Sequence, residues 1–321
     1  AAEKVVEKEW NFTVQPGAHI FERLSEMPVK LGDISYIFVG LQTSADTVFL
    51  FKEFEEMANG DFKVMSKELG SSIELEGSIL KPVIRSGNIG RYWARPTAQV
   101  LFPYHFQNGK AQLIPESKLK NNYSKTWSYL NENKKLLVGR EHGKFKQTGW
   151  YQLYPKNLDV WEQPKIMIPY MVTRLSAYLD RENYYFVNVT TGGFGLVLIA
   201  LDLSMEYITG LLNSKLLDWF MRQVSTNFNS GYMAANKQFL VQLPIRTIDP
   251  TNPTDAAAHD QMVALVERML DLHKRHAAEA NPQVKTVLQR QIEMTDRQID
   301  LLVYELYGLI EEEIAIVDAT A

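Results

Sequence analysis

From residue 32 onward, apolar residues fall in short runs rich in β-branched and aromatic side chains, separated by turn formers such as Gly40 and Asp46. Runs of this kind predict strands at 34–39, 47–50, 63–65, 73–75, 99–104 and 111–114, the last two joined by an Asn108-Gly109 hairpin turn. Residues 80–84 lead into a loop, 85–91, that contains Gly87 and Gly90. Residues 117–137 read as a lysine-rich helix and 140–149 as a basic polar loop. Strands are predicted again at 161–168, 184–188, 196–201 and 239–245, with a polar loop at 227–235. Between 206 and 224, Ile208, Leu211, Leu212, Leu216, Trp219 and Phe220 form the i, i+3, i+4 stripe of a core-facing helix.

The two prolines of 249–254 mark a linker, after which the period changes. Met262, Leu265, Val266, Met269 and Leu272 predict a helix over 255–280. Leu288, Ile292, Thr295, Ile299, Leu302 and Leu306 step by four and three within a second, over 282–307. That is heptad spacing, and Asn281-Pro282 breaks the chain between the two helices. The fold class expected is therefore α+β: a mixed β/α body followed by an antiparallel, coiled-coil-like two-helix hairpin.

Charge changes this picture. Residues 1–80 hold 7 Lys+Arg against 14 Asp+Glu, residues 81–250 hold 21 against 11, and residues 251–321 hold 6 against 13. A body of net +10 between two ends of −7 is hidden in a whole-chain charge of −4. Such a split suits a nucleic-acid-binding module joined to something else. There is no cysteine, hence no disulfide and no thiolate metal site, which fits a cytoplasmic location. No apolar run approaches the ~20 residues that a membrane span needs. The chain opens without Met and 1–10 reads as a charged helix fragment, so an excised portion of a longer protein is expected.

Catalytic tools are missing from the sequence. His19, His105, His142, His259, His273 and His276 make no H-E-x-x-H pair, and His273 and His276 sit where they complement a helix C-terminus. Glu116-Ser117-Lys118 and Glu132-Asn133-Lys134 lack the upstream Pro-Asp that a metal-dependent nuclease would add, and they read as exposed helix faces. Gly192-Gly193-Phe194-Gly195 lacks phosphate-loop spacing and reads as a turn or bulge. Neither a Gly-x-Ser-x-Gly elbow nor the adenine-methyltransferase tetrapeptide occurs. No residue is therefore assigned to catalysis or to a metal.

Three stretches carry the chemistry of DNA recognition. In 81–95, glycines flank Arg85, Asn88, Arg91 and Tyr92, where Arg suits guanine and Asn adenine in the major groove. Residues 118–146 carry a net +6, with Lys118, Lys120, Lys125, Arg140, Lys144 and Lys146 among the cations that would engage phosphates. At the end of that stretch, His142 and Gln147 join Arg140 and Lys146 in a loop able to reach base edges. The third, 226–236, is uncharged and rich in donors and acceptors, with Asn229 and Tyr232 at its centre. A surface loop with solvated arginines is the competing reading of the first, core aromatics of the second and an ordinary turn of the third.

The order of several short segments then becomes informative. Gly32-Asp33-Ile34 is followed by Gly40-Leu41-Gln42-Thr43, by Lys81-Pro82-Val83-Ile84-Arg85 with Ile89-Gly90-Arg91-Tyr92, and by Trp150-Tyr151-Gln152-Leu153. Pro164-Lys165-Ile166, Leu211-Leu212-Asn213-Ser214-Lys215 and Leu243-Pro244-Ile245 come next. A closing block runs Gln298-Ile299-Asp300-Leu301-Leu302-Val303-Tyr304-Glu305-Leu306-Tyr307-Gly308. Over about residues 20–315 this series resembles the TaqI-like C-terminal specificity domain of restriction–modification adenine methyltransferases, above all the fused type IIG kind. The resemblance implies a target recognition domain at 31–250. It also implies a linker at 1–30 from an upstream catalytic domain, and a docking or spacer hairpin at 251–321.

The resemblance further implies a partner, double-stranded DNA, and a second partner, the methyltransferase domain of the same protein. The expected function is positioning of a target adenine for N6 methylation, with cleavage as a further activity of the parent, in phage defence. S-adenosylmethionine, with Mg²⁺ as a further candidate, would serve the parent, and no cofactor is expected in these residues. A non-catalytic protein-interaction scaffold of a phage-defence complex is the alternative.

Overall fold

The structure is a computed structural model that describes residues 17–147, 149–189, 192–199, 203–228 and 230–320. A four-stranded antiparallel sheet stands at its centre, ordered Ser35–Val39, Gly193–Leu198, Lys165–Pro169, Tyr178–Asp180. Side chains alternate across a strand. Ile37, Ile166, Ile168 and Leu196 accordingly face one hydrophobic core, while their neighbours Phe38 and Met167 face a second. The sheet is a wall shared by two cores. All five residues of Lys165–Pro169 are buried, as a strand covered on both faces requires.

The first core is mostly helical. Ala18–Ser25 sends Ile20 and Leu24 into it, and the helices Met205–Asn213, Lys215–Val224, Pro253–Ala278 and Pro282–Leu306 complete it. The hairpin seam lies where the heptad spacing puts it: Leu288, Ile292, Thr295, Ile299 and Leu302 are buried against a partner stripe of Met262, Val266, Met269 and Leu272. Each hairpin helix starts with proline behind an asparagine cap, Asn252 accepting from the Thr254 N–H and Asn281 from the Gln283 N–H. The hairpin is not an appendage, because Met262 and Val266 pack directly on Gly210. A Cβ at Gly210 would lie 2.3 Å from the Met262 sulfur, so only glycine lets the two helices approach this closely.

The second core is β-rich. Strands Leu50–Phe51, Trp93–Leu101 and Leu80–Gly90 make one sheet, and Phe54–Glu56, Phe62–Ser66 and Ser71–Leu75 another. Tyr104–Gln107 and Lys110–Leu113 form the expected hairpin, with Asn108 and Gly109 both at positive φ. Helices Glu116–Asn122, Ser124–Glu132 and Lys134–Gly143 close it from one side. Its centre is aromatic: Trp161 stacks on Tyr185 at 5.1 Å and meets Phe38 and Phe186 edge-on.

Several elements differ from the sequence expectation. Residues 85–91 are not a loop, since strand Leu80–Gly90 runs through them with register shifts after Val83 and Ile84 that absorb Gly87 at φ 85°. Residues 47–50 are mostly a helical turn, Asp46–Phe49. The lysine-rich helix breaks into three at Tyr123 and Asn133, whose backbones leave helical geometry. Ser214 likewise divides 206–224, its hydroxyl capping the second helix through the Leu217 N–H. Residues 184–188 supply only isolated bridges, Tyr185 to Val83 and Val187 to Leu41, and 239–245 begins as a helical turn, Lys237–Leu240.

Residues 18–25 and the hairpin share one core with the central sheet, whereas the second core draws mainly on residues 38–161. Residues 1–16 of the expected linker lie outside the described residues.

Candidate nucleic-acid interface

The helical block at 116–143 presents cations on an aromatic shelf. The Lys120 ammonium lies 4.8 Å from the Trp127 ring centroid and the Lys134 ammonium 4.9 Å from that of Trp150, the two indoles being 5.9 Å apart. Lys144 lies 4.3 Å from the Tyr154 ring. Aromatic faces hold an ammonium in place without neutralising it, although Lys120 also lies 3.6 Å from the Glu116 carboxylate. Lys118, Lys134, Lys135, Lys146, His142 and Gln147 are exposed. Among the described residues none of these six side chains has a carboxylate partner.

Four sequence candidates are used internally instead. Lys125 bonds Asp61 and Glu74, each at 2.9 Å, and these two carboxylates raise its pKa. Arg140 is 5% exposed, and its guanidinium donates to the carbonyls of Leu137, Thr43, Trp150 and Gln152. Burial pushes its pKa down to about 10, still well above neutrality. Arg140 is thus a bolt that ties the 140–152 segment to the turn at Thr43, not a base reader.

Arg91 is locked on Asp296 of the hairpin through both terminal nitrogens. Tyr92, 1% exposed and at φ 63°, stacks on His273 with ring centroids 6.2 Å apart. Burial leaves no face of Tyr92 for DNA. The pair joins the β-hairpin around residue 91 to the helical hairpin. Arg174 lies 3.8 Å from the same Asp296. Asp300 one turn on accepts the Lys215 N–H, and its burial raises its pKa to about 6. Burial and the nearby Arg91 lower His273 to about 4.

Arg85, half-buried, has no carboxylate partner among the described residues. It lines a cleft of about 650 Å³ with Lys52, Glu53 and Lys67, and Leu50, Met65, Val83, Ile84 and Val187 are its apolar lining. Asn88, half-buried, follows on the same strand. Neither lysine was singled out from the sequence, since positions 52, 67 and 85 share no motif and are brought together only by strand pairing. The cleft continues, through Asp46 and Thr47, into a polar depression of about 730 Å³ lined by Gln42, Ser44, Glu141, Tyr154 and Asn188. Non-glycine residues at positive φ gather there: Ser44, Glu141 and Asn188, with His142 adjoining.

The third stretch turns back on itself where the Phe228 N–H donates to the Tyr232 carbonyl at 2.8 Å. Both rings project, Tyr232 being 42% exposed. Asn229 lies outside the described residues. The structure places Arg85 in the cleft and Lys144 on Tyr154, which lines the adjoining depression, and retires Arg91, Tyr92, Lys125 and Arg140 to internal roles. No group of three or more His, Asp or Glu placed to hold a metal occurs among the described residues. No helix among them is long and apolar enough to cross a membrane.

Residues 108–245 match the family model of the TaqI-like C-terminal specificity domain. The chain is 26% identical over 310 residues to the type II restriction enzyme and methyltransferase RM.Eco57I of Escherichia coli, covering 90% of this chain and 30% of that protein. It is 27% identical over 143 residues to the type II methyltransferase M.BanIII of Aneurinibacillus aneurinilyticus, covering 43% of this chain and 22% of that protein. The chain thus spans less than a third of each of these relatives. The resemblance read from its segments is borne out.

Proposed function

We propose that this chain is the DNA target recognition module of a restriction–modification protein. It selects a duplex sequence and holds an adenine in register for N6 methylation at a methyltransferase site outside these residues. S-adenosylmethionine belongs to that methyltransferase site in this reading, and the 321 residues carry recognition without catalysis. The observation that carries the reading is a coincidence of place. The specificity-domain match covers 108–245, and within it lie the exposed cations Lys118, Lys134, Lys135 and Lys146, which no carboxylate of the described residues neutralises.

Phosphate anchoring falls to those lysines with Lys120 and Lys144. Base readout falls to Arg85, Asn88, His142, Gln147, Asn229 and Tyr232. The test is fluorescence anisotropy of a labelled duplex with the purified protein. Affinity should fall steeply between 50 and 200 mM salt, roughly tenfold or more for a handful of phosphate contacts. Retention of no duplex at ~50 mM salt would leave the scaffold reading in its place.

A further inference from the structure

The acceptor-lined depression next to the Arg85 cleft is the feature the charge analysis does not absorb. Among the described residues no Lys or Arg lines it and Glu141, which accepts from the Ser44 hydroxyl, adds a second carboxylate to Asp46; cations border it on both sides, Lys52, Lys67 and Arg85 with Glu53 in the adjoining cleft, and Lys144 on the ring of Tyr154. Asp46 stands where cleft and depression meet, and its carboxylate is held in one orientation. The buried Thr43 hydroxyl donates to Oδ1, and Asn188 Nδ2 donates to Oδ2 at 2.9 Å. Thr43 is itself fixed, since its carbonyl takes a 2.6 Å hydrogen bond from the buried Arg140. Asp46 remains exposed, so each oxygen has a further lone pair directed to solvent.

A carboxylate in this place repels phosphate. A duplex held by the flanking cations therefore comes to rest with base edges, not backbone, over Asp46. The groups on a base edge that an acceptor satisfies are the exocyclic amines, cytosine N4 or adenine N6. We infer that Asp46, oriented by Thr43 and Asn188, is a specificity-determining residue that reads one amino-bearing base of the target. This inference rests on the proposed DNA recognition and adds a residue and a base class to it.

The test is enrichment of bound duplexes from a randomised pool by the purified protein, wild type against Asp46→Asn and Asn188→Ala, with melting curves for each. Asn keeps an oxygen for the Thr43 hydroxyl but brings a donor to the base edge. The expected result is an enriched wild-type motif in which Asp46→Asn loses, on the order of tenfold, its preference for cytosine or adenine at one base pair. The slope of affinity against salt should be unchanged. Asn188→Ala, which frees the carboxylate, should blur the same position, and it decides the matter if Asp46→Asn does not fold. An enriched motif that both folded variants retain intact overturns the role of Asp46 and leaves DNA recognition standing. A wild-type protein that enriches no motif overturns the recognition reading, and this inference with it.

Discussion

Arg85, Arg91 and Arg140 are three arginines of one basic segment, and their fates differ entirely. Arg85 opens into a cleft, Arg91 is spent on Asp296, and Arg140 on four carbonyls. A sequence shows that a charge exists and not which partner waits for it, so the overall basic character was legible and its division between surface and interior was not. Arg140→Met should therefore act on stability. Four carbonyls lose their donor, and the loss should be on the order of 3–5 kcal/mol, read as a lower urea midpoint. By contrast, Lys118→Ala or Lys134→Ala should leave the midpoint in place and reduce the salt slope of DNA binding by about one each.

Asp300 gives a pH signature at the same scale. Its folded pKa is raised from 3.8 to about 6 by burial, so the folded state binds its proton more tightly than the unfolded chain does. The benefit is full below pH ~4 and is lost as pH rises through ~6, a difference of about 3 kcal/mol. Asp300→Asn keeps an oxygen for the Lys215 N–H and carries no charge. It should be more stable than wild type at pH 7.5, and that gain should vanish near pH 4 in paired thermal melts.

Among elements, those with a strong period were the legible ones. The heptad steps of 282–307 gave the buried seam except for Leu306, which is half-buried, and Asn108-Gly109 gave the hairpin turn. Where the period was weak, tertiary contacts decided. Residues 85–90 look like a glycine-hinged loop, yet pairing with Trp93–Leu101 draws them into a bulged strand. Ser214 looks like any helix residue, but its hydroxyl serves as a cap and splits one helix into two. Gly210 carried no signal at all, because its need is set by Met262 and Val266 some fifty residues away. Gly210→Ala should overpack that crossing and cost ~1–3 kcal/mol, seen as a lower melting temperature with no change in target preference.

For the molecule as a whole, the α+β class was readable from the change of apolar period, but the division into two cores was not. That division depends on Ser35–Val39 and Lys165–Pro169 sharing a sheet although they are far apart in sequence. The hairpin belongs to the same body through Gly210, Arg91 and Tyr307, whose hydroxyl donates to the Pro244 carbonyl at 2.8 Å. A chain ended at residue 250 would bare Ile208, Leu211 and Tyr207, all now fully buried. It should show no cooperative thermal transition, whereas the intact chain should.

The central sheet has a practical corollary. The polypeptide leaves it after Val39 and rejoins it at Lys165, on two strands separated only by Gly193–Leu198. The two strands run parallel, so Val39 lies opposite Phe194 while Lys165 lies about three residues away along the same neighbour; two inter-strand steps of about 10 Å combine with about 10 Å along the strands to set the ends of this 125-residue excursion roughly 14 Å apart. Nature or an engineer could exchange that excursion as a cassette, granting a new target to an unchanged chassis, provided Tyr185, Phe186 and Val187 are refitted to the incoming piece.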